Sequence, residues 1–148
     1  MQWQCKNFTE LNIEELYSIM ALRNQVFIVE QNCIYQDLDS RDQQSMHLFA
    51  QSSGKLAAYA RVLPLNNRPA PFAIGRVIVA PEFRGQGLAK EIVARAITFL
   101  RDQKQANRIF IQAQTYLLPF YERFGFTAIS KEYLEDNIPH CDMLWQQK

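Results

Sequence analysis

Apolar residues early in the chain recur at intervals of three and four, which is the spacing of one helical face. Asn12 precedes this run and Glu15 follows three positions later, the spacing of a capping box at a helix start. We therefore predict a helix beginning after Asn12 whose inner face carries Leu16, Ile19, Met20, Arg23 and Phe27. The polar stretch 31–45 lacks a clear period and predicts a loop or irregular helix.

Short apolar runs bounded by turn residues predict strands on both sides of this region. They lie at 2–8, 46–51, 55–65, 72–80 and 108–113. A second amphipathic pattern predicts a helix from Leu88 to Arg101, with an inward face of Ile92, Val93, Ala96, Ile97 and Leu100. A short helix at about 116–124 and two strands around Asn137-Ile138-Pro139, between Thr127 and Gln146, complete the chain.

The elements follow the order β-α-β-β-β-α-β-α-β-β without a linker, repeat or low-complexity stretch. This order predicts one α/β domain over residues 1–148, with a mixed sheet of six to seven strands and helices on both faces. Strands on either side of the 88–101 helix should be parallel, because a crossover helix connects them.

Composition narrows the class of partner. The chain is 48% hydrophobic and 21% charged, with a net charge of +1, enough apolar material for a packed core. Lysine and arginine are interspersed with acids, so we expect no nucleic-acid partner. No apolar run reaches 18 residues and the N-terminus lacks a signal-like segment, so we expect a cytoplasmic protein without a membrane partner.

The three cysteines, Cys5, Cys33 and Cys141, are widely spaced and odd in number. This favours free, mostly buried thiols over a disulfide framework or a structural metal site. We therefore expect no metal.

One segment carries the chemistry. The 72–80 strand leads into Arg84-Gly85-Gln86-Gly87-Leu88-Ala89, a basic glycine-bearing turn that opens a helix. Free N–H groups and the positive dipole end of a helix suit an anion, and glycines allow close backbone approach. The segment therefore predicts a diphosphate cradle.

Two familiar nucleotide loops do not fit. The dinucleotide fingerprint would need glycine where this chain has Lys90, and no Gly-Lys-Ser/Thr follows for a P-loop. The loop instead resembles the R-G-x-G-[LI]-[GA] pyrophosphate loop of the GNAT acetyltransferases.

A second segment strengthens the resemblance: Tyr121-Glu122-Arg123-Phe124-Gly125-Phe126 is similar to the family's Y-x-x-x-G-F segment. Further stretches, including 23–31, 39–47 and 135–140, resemble the ElaA-type branch, so the resemblance covers most of the chain. It implies a GNAT-like fold and acetyl-CoA as co-substrate for acetylating a small-molecule amine.

The resemblance also implies roles for individual residues. Main-chain groups of Val77, Ile78 and Val79 would hold the pantetheine arm, with an N–H of Val77 or Ile78 polarising the thioester. This implies that the 72–80 and 108–113 strands splay apart so that one edge is free. Tyr121 would bind the cofactor and protonate the leaving thiolate. Gln114 stands where the family usually has an asparagine that touches pantetheine. The pyrophosphate would be held by Arg84, Gly85, Gln86, Gly87, Leu88, Ala89 and Lys90.

The residues that bind the acceptor or act as base stay open at this point. Candidates are Glu30, His47, Glu135 and His140, with Asp39 and Asp42 also considered as bases. His47 stands among apolar strand residues, which favours a core position equally well. An inward Arg23 needs an acidic partner, and Asp39 and Asp42 are the candidates.

Two alternatives to an acetyltransferase follow from the same residues. The Arg23-Asn24-Gln25-Val26-Phe27 segment is also similar to one in acyl-homoserine-lactone synthases, which share the fold. A CoA-binding regulatory module without turnover is the other alternative. The final strand, 141–145, is a candidate for edge pairing in a homodimer.

Overall fold

The computed structural model describes all 148 residues as one continuous mixed sheet flanked by helices. The helices are α1 (Ile13–Arg23), α2 (Leu88–Gln103) and α3 (Leu118–Glu122). The strands are β1 (Gln2–Asn7), β2 (Met46–Ser52), β3 (Lys55–Pro64), β4 (Phe72–Val79), β5 (Arg108–Gln114), β6 (Phe126–Ala128), β7 (Tyr133–Glu135) and β8 (Ile138–Gln146). No helix in the structure has the length and apolarity needed to span a membrane.

The sheet has the order β1-β2-β3-β4-β5-β8-β6, with β7 also paired to β8. Strands β4 and β5, which bracket α2, pair in parallel, whereas every other pair is antiparallel. This confirms the predicted α/β class, the mixed sheet and the parallel pair across the crossover helix.

Helix α1 begins at the predicted capping box. The Asn12 side chain accepts a hydrogen bond from the Glu15 backbone N at 2.7 Å, and Glu15 accepts one from the Asn12 backbone N at 3.0 Å. The α-helical pattern ends at Arg23, after which residues Asn24–Glu30 form a π-helix. The wider turn changes the inward register, so that Val26 is buried while Phe27 is only half-buried.

Helices pack on both faces of the sheet, as predicted. On one face, Ile92, Val93, Ala96 and Leu100 of α2 are fully buried. On the other, Ile19 of α1 packs in a smaller cluster with side chains of β2, β3 and β4. The sheet is therefore the common wall of two apolar cores, which fixes the positions of its strand ends.

The C-terminal region differs from the prediction. It forms three strands rather than two, because the short strand β6 (Phe126–Ala128) precedes the β7–β8 hairpin. The hairpin turn lies at Asp136 and Asn137, both with positive φ, and Pro139 belongs to β8. Strand β8 pairs with β5 on one side and with β6 and β7 on the other. It is therefore not an edge strand, and edge pairing through 141–145 in a dimer was a wrong expectation.

The three cysteines are free thiols, as predicted. Cys33 and Cys141 are buried and Cys5 is exposed.

Candidate functional site

A gap opens between the central strands of the sheet. Strands β4 and β5 pair only at Phe72–Ile109 and Ala73–Phe110, although both strands continue well beyond these residues. Beyond this point a parallel ladder is absent, so the facing edges of both strands are free. The divergence agrees with the expectation that these strands splay apart.

A β-bulge in β4 accompanies this divergence. Tyr59 of β3 lies opposite Ile78, and Arg61 lies opposite Gly75, so two steps along β3 match three along β4. Arg76 occupies the bulge with φ of +52°, a left-handed conformation uncommon for arginine. A bulge bends its strand and re-aims its side chains, and here Arg76 and Val77 line the gap.

The glycine-bearing loop lies at the end of β4. Gly85 and Gly87 have φ of +81° and +78°, and a Cβ built on either would meet no atom within 4 Å. The first intrahelical bond of α2 runs from the Glu91 N–H to the Gly87 carbonyl at 3.1 Å. The N–H groups at the start of the first turn therefore have no helical partner. The open space beside the two glycines, the free N–H groups of α2 and the Arg84 side chain therefore lie together at this loop.

A cavity of about 390 Å³ lies beside this loop. The predicted cofactor-binding residues that line it are Val77, Ile78, Val79, Arg84, Gly85, Gly87, Leu88, Ala89 and Gln114. Gln86 and Lys90 belong to the same loop and first turn but are exposed outside the lining. Glu30 lines the same cavity and pairs with Arg84 at 2.9 Å. Glu30 therefore lies beside the glycine-bearing loop, apart from the other candidate acceptor residues.

A second cavity, of about 540 Å³, opens on the other side of the gap. It contains Tyr121, Glu135 and His140. The two cavities share five lining residues: Phe27, Gln31, Val77, Gln114 and Leu117. They therefore meet at the diverging ends of β4 and β5.

Tyr121 lies at the inner wall of the larger cavity, on the short helix α3. Its side chain is almost wholly buried and packs edge-on against Phe120 and Phe126. Burial, with a smaller effect of Tyr116, raises the pKa of Tyr121 to about 12. The phenol is therefore protonated at neutral pH and can donate a proton.

Three arginines and three aspartates, some of which line the larger cavity, form a largely buried ion-pair network. Arg23 pairs with Asp37 at 2.9 Å and Asp42 at 2.6 Å, whereas Asp39 pairs with Arg61 at 2.8 Å. The expected Asp42 partner of Arg23 is confirmed, and the expected Asp39 partner was wrong. Arg76 completes the network by pairing with Asp37 at 2.8 Å.

His47 lies in the core, away from both cavities. It is fully buried, its Nδ1 is 2.7 Å from the Tyr59 hydroxyl, and its Nε2 is 2.9 Å from the Asp42 carbonyl. Burial lowers the pKa of His47, and the Asp42 contacts only partly offset this. It therefore holds the network in place and does not reach a substrate.

Arg76 and Asp37 were not identified from the sequence. Arg76 is the one charged residue within the apolar 72–80 strand, and that isolation was a usable signal. Asp37 sits in the polar 31–45 stretch among several similar residues, and nothing in the local pattern distinguished it.

Comparisons with known proteins agree with this geometry. Residues 9–147 match the family model described as an acetyltransferase (GNAT) domain. Protein ElaA of Escherichia coli K12 is 35% identical over 145 residues, covering 97% of this chain and 95% of that protein. A crystal structure of an acyl-CoA N-acyltransferase from Pseudomonas aeruginosa is 37% identical, with a TM-score of 0.92 and coverage of 97% of this chain and 98% of that one.

A CoA-dependent acyl-homoserine lactone synthase is more distant. At 18% identity and a TM-score of 0.74, covering 92% of this chain and 78% of that one, it shares the fold alone. The alternative based on the Arg23–Phe27 segment thus gains no support beyond the common fold. The chain belongs to the GNAT family of acyltransferases, in its ElaA-type branch.

Proposed function

We propose that this protein is an N-acetyltransferase that moves the acetyl group of acetyl-CoA to the amine of a small molecule. The observation that carries the proposal is the meeting of two cavities at Val77 and Gln114. A donor bound along the glycine-bearing loop and an acceptor in the larger cavity would reach each other there. Holding both reactants in one place is the main catalytic contribution that such a site can make.

The smaller cavity fits the diphosphate of CoA. Both loop glycines face open space where a side chain would intrude, and the free N–H groups of the α2 start point to an anion. Arg84 adds a positive charge at the loop. Residues proposed to bind the donor are Val77, Ile78, Val79, Arg84, Gly85, Gln86, Gly87, Leu88, Ala89, Lys90, Gln114 and Tyr121.

The free edge of β4 supplies the electrostatic part of the mechanism. A main-chain N–H of Val77 or Ile78 would donate a hydrogen bond to the thioester oxygen. This hydrogen bond would stabilise the negative charge that develops on the oxygen as the amine attacks, and so lower the activation barrier. Bound acetyl-CoA supplies an activated acyl group, so no acyl-enzyme is needed.

Tyr121 would give its phenolic proton to the leaving sulfur. The same burial that raises the tyrosine pKa disfavours a thiolate in the same cavity. A leaving thiolate there therefore needs a proton, and Tyr121 is the proposed donor. Its loss typically slows a reaction by ~10²–10⁴-fold.

The acceptor would occupy the larger cavity. Glu135 and His140 line it and remain proposed acceptor residues, whereas His47 does not reach it. Glu30 is proposed to act on the donor side, through Arg84.

Binding is tested by thermal unfolding with and without acetyl-CoA. A ligand at ~100 times its Kd should add about 2.7 kcal/mol to the free energy of unfolding. Thiol release in the presence of primary amines then separates an enzyme from a CoA-binding module. Thermal stabilisation by acetyl-CoA without thiol release for any amine would favour a CoA-binding module. No stabilisation at millimolar acetyl-CoA would contradict the proposed diphosphate-binding loop.

A further inference from the structure

We infer that His140 is the general base of the acetyl transfer, with its Nε2 as the proton acceptor. The inference rests on the proposed function and adds the residue that removes the proton from the acceptor nitrogen. His140 lies on β8 directly opposite Gln114 of β5 in the antiparallel register. Since Gln114 lines both cavities, the imidazole lies next to their junction.

A backbone carbonyl fixes the tautomer of this imidazole. His140 Nδ1 lies 2.7 Å from the carbonyl oxygen of Ile138. A carbonyl can only accept a hydrogen bond, so Nδ1 must carry the hydrogen. In the neutral ring the lone pair is then on Nε2, which makes no hydrogen bond to another residue. A free lone pair within a cavity is what a general base requires.

The orientation of the ring is also held. Tyr133 of β7 stacks on His140, with ring centroids 6.1 Å apart and an interplanar angle of 21°. The Tyr133 hydroxyl in turn donates to the Asp142 carboxylate. Two contacts, one to the edge of the imidazole and one to its face, therefore hold it against rotation.

Charged groups of both signs surround His140. The β7–β8 hairpin contributes Glu135 and Asp136, β5 contributes only uncharged residues at this point, and Asp142 follows on β8. The remaining titratable or charged residues of the cavity are Cys33, Tyr35, Asp39, Arg41, Arg61, Arg76 and Tyr121. Three carboxylates and three guanidinium groups thus line the cavity.

The acetyl-transfer step balances with two proton transfers. The amine nitrogen forms a bond to the thioester carbon, and its acidity rises as it becomes positive. His140 Nε2 takes that proton while the carbon–sulfur bond breaks and its electron pair moves to sulfur. Tyr121 gives its proton to the sulfur, and the phenolate and imidazolium then return to neutrality through solvent. The products are an N-acetyl amide and CoA with a free thiol.

The tautomer is tested directly by long-range ¹⁵N NMR of histidine-labelled protein. The chain has only two histidines, and the structure gives them opposite tautomers. His47 must carry its hydrogen on Nε2, because that atom contacts the Asp42 carbonyl. We expect the Nδ1–H form for His140 and the Nε2–H form for His47, with His140→Gln assigning the signals. An Nε2–H form for His140 would overturn the inference.

Kinetics supply the second test. The probe is the fastest amine of a panel containing glycinamide, a diamine and an amino sugar, with thiol release as readout. We expect His140→Gln to lower kcat by ~10²–10⁴-fold and to leave the acetyl-CoA Kd unchanged. The control is Glu132→Gln, an exposed residue that lines neither cavity, which should keep both the wild-type kcat and the wild-type acetyl-CoA Kd.

The outcomes separate the two claims. A wild-type protein that releases no thiol with any amine contradicts the proposed function. An active wild type whose His140→Gln variant keeps the wild-type kcat contradicts only the assignment of the base.

Discussion

Glu30 and Arg84 form a two-contact ion pair at the glycine-bearing loop, with Oε1–Nη1 at 2.9 Å and Oε2–Nη2 at 3.2 Å. Both side chains are more than 40% exposed, so the pair itself stabilises little. Its position is what matters, since Glu30 holds the one arginine that would contact the CoA diphosphate. The carboxylate and the proposed diphosphate ligand would therefore compete for the same guanidinium.

This competition predicts that Glu30→Gln tightens acetyl-CoA binding by about two- to fivefold, which corresponds to loss of one exposed pair. Isothermal titration calorimetry at low salt measures the change, and added salt should reduce it. The control is Glu82→Gln, which removes a carboxylate from an exposed pair with Lys55 outside the cavity lining. Weaker binding by Glu30→Gln would mean that the carboxylate contributes to the site rather than competing with the ligand.

Gly87→Glu should abolish acetyl-CoA binding, because it places both bulk and negative charge where the diphosphate would lie. Gly54→Glu is a matched control: Gly54 has nearly the same φ of +79° and equally open surroundings, but it lines neither cavity. Both variants carry the same left-handed backbone strain. We therefore expect similar losses of thermal stability and loss of binding in Gly87→Glu alone, and equal binding by the two variants would contradict the cradle.

Tyr121→Phe should lower kcat by ~10²–10⁴-fold and leave the acetyl-CoA Kd within a few-fold, since the ring packing is retained and only the proton donor is lost. Stopped-flow thiol detection measures the rate. Tyr17→Phe on the exposed face of α1 is the control and should behave as wild type. A Tyr121→Phe variant with wild-type kcat would show that Tyr121 is not the general acid.

Asp42→Asn should destabilise the fold by roughly 3–5 kcal/mol, because it removes the shared partner of Arg23 and Arg61 and leaves buried guanidinium charge uncompensated. Urea unfolding at neutral pH measures this loss. Asp102→Asn, from an exposed pair with Arg101, should be nearly neutral. Equal losses in the two variants would contradict a structural role for the network.

The same network predicts a pH dependence of stability. Burial alone would raise the pKa of Asp42, but hydrogen bonds and charge from Arg23 and Arg61 outweigh it and hold the pKa below its usual range. Because the folded pKa is the lower one, this contribution is fully present above the unfolded pKa of about 3.9 and is lost as pH falls through the folded value. Asp42→Asn should therefore flatten the stability profile below about pH 4.

Local signals in the sequence placed three features of the fold correctly. The capping box at Asn12, the inward face of α2 and the Arg84–Ala89 loop each depend on neighbouring residues, and each appears in the structure where it was predicted. The gap between β4 and β5 was expected only from the family resemblance, since its cause is a bulge that periodicity does not show.

The acceptor side depended on contacts between distant parts of the chain. His47 and His140 looked alike as candidates, yet β-sheet register buries His47 in the core and sets His140 opposite Gln114. Likewise, the partner of Arg23 was decided by the path of the irregular 31–45 stretch, which selects Asp37 over Asp39. Neither outcome is encoded in local spacing.

The most direct test of the central claim is amine-dependent release of free thiol from acetyl-CoA by the wild-type protein, with the acetylated amine identified by mass spectrometry. The account predicts release with at least one small primary amine of the panel and loss of that release in Gly87→Glu. Acetyl-CoA binding without thiol release from any amine would contradict it and identify the protein as a CoA-binding module.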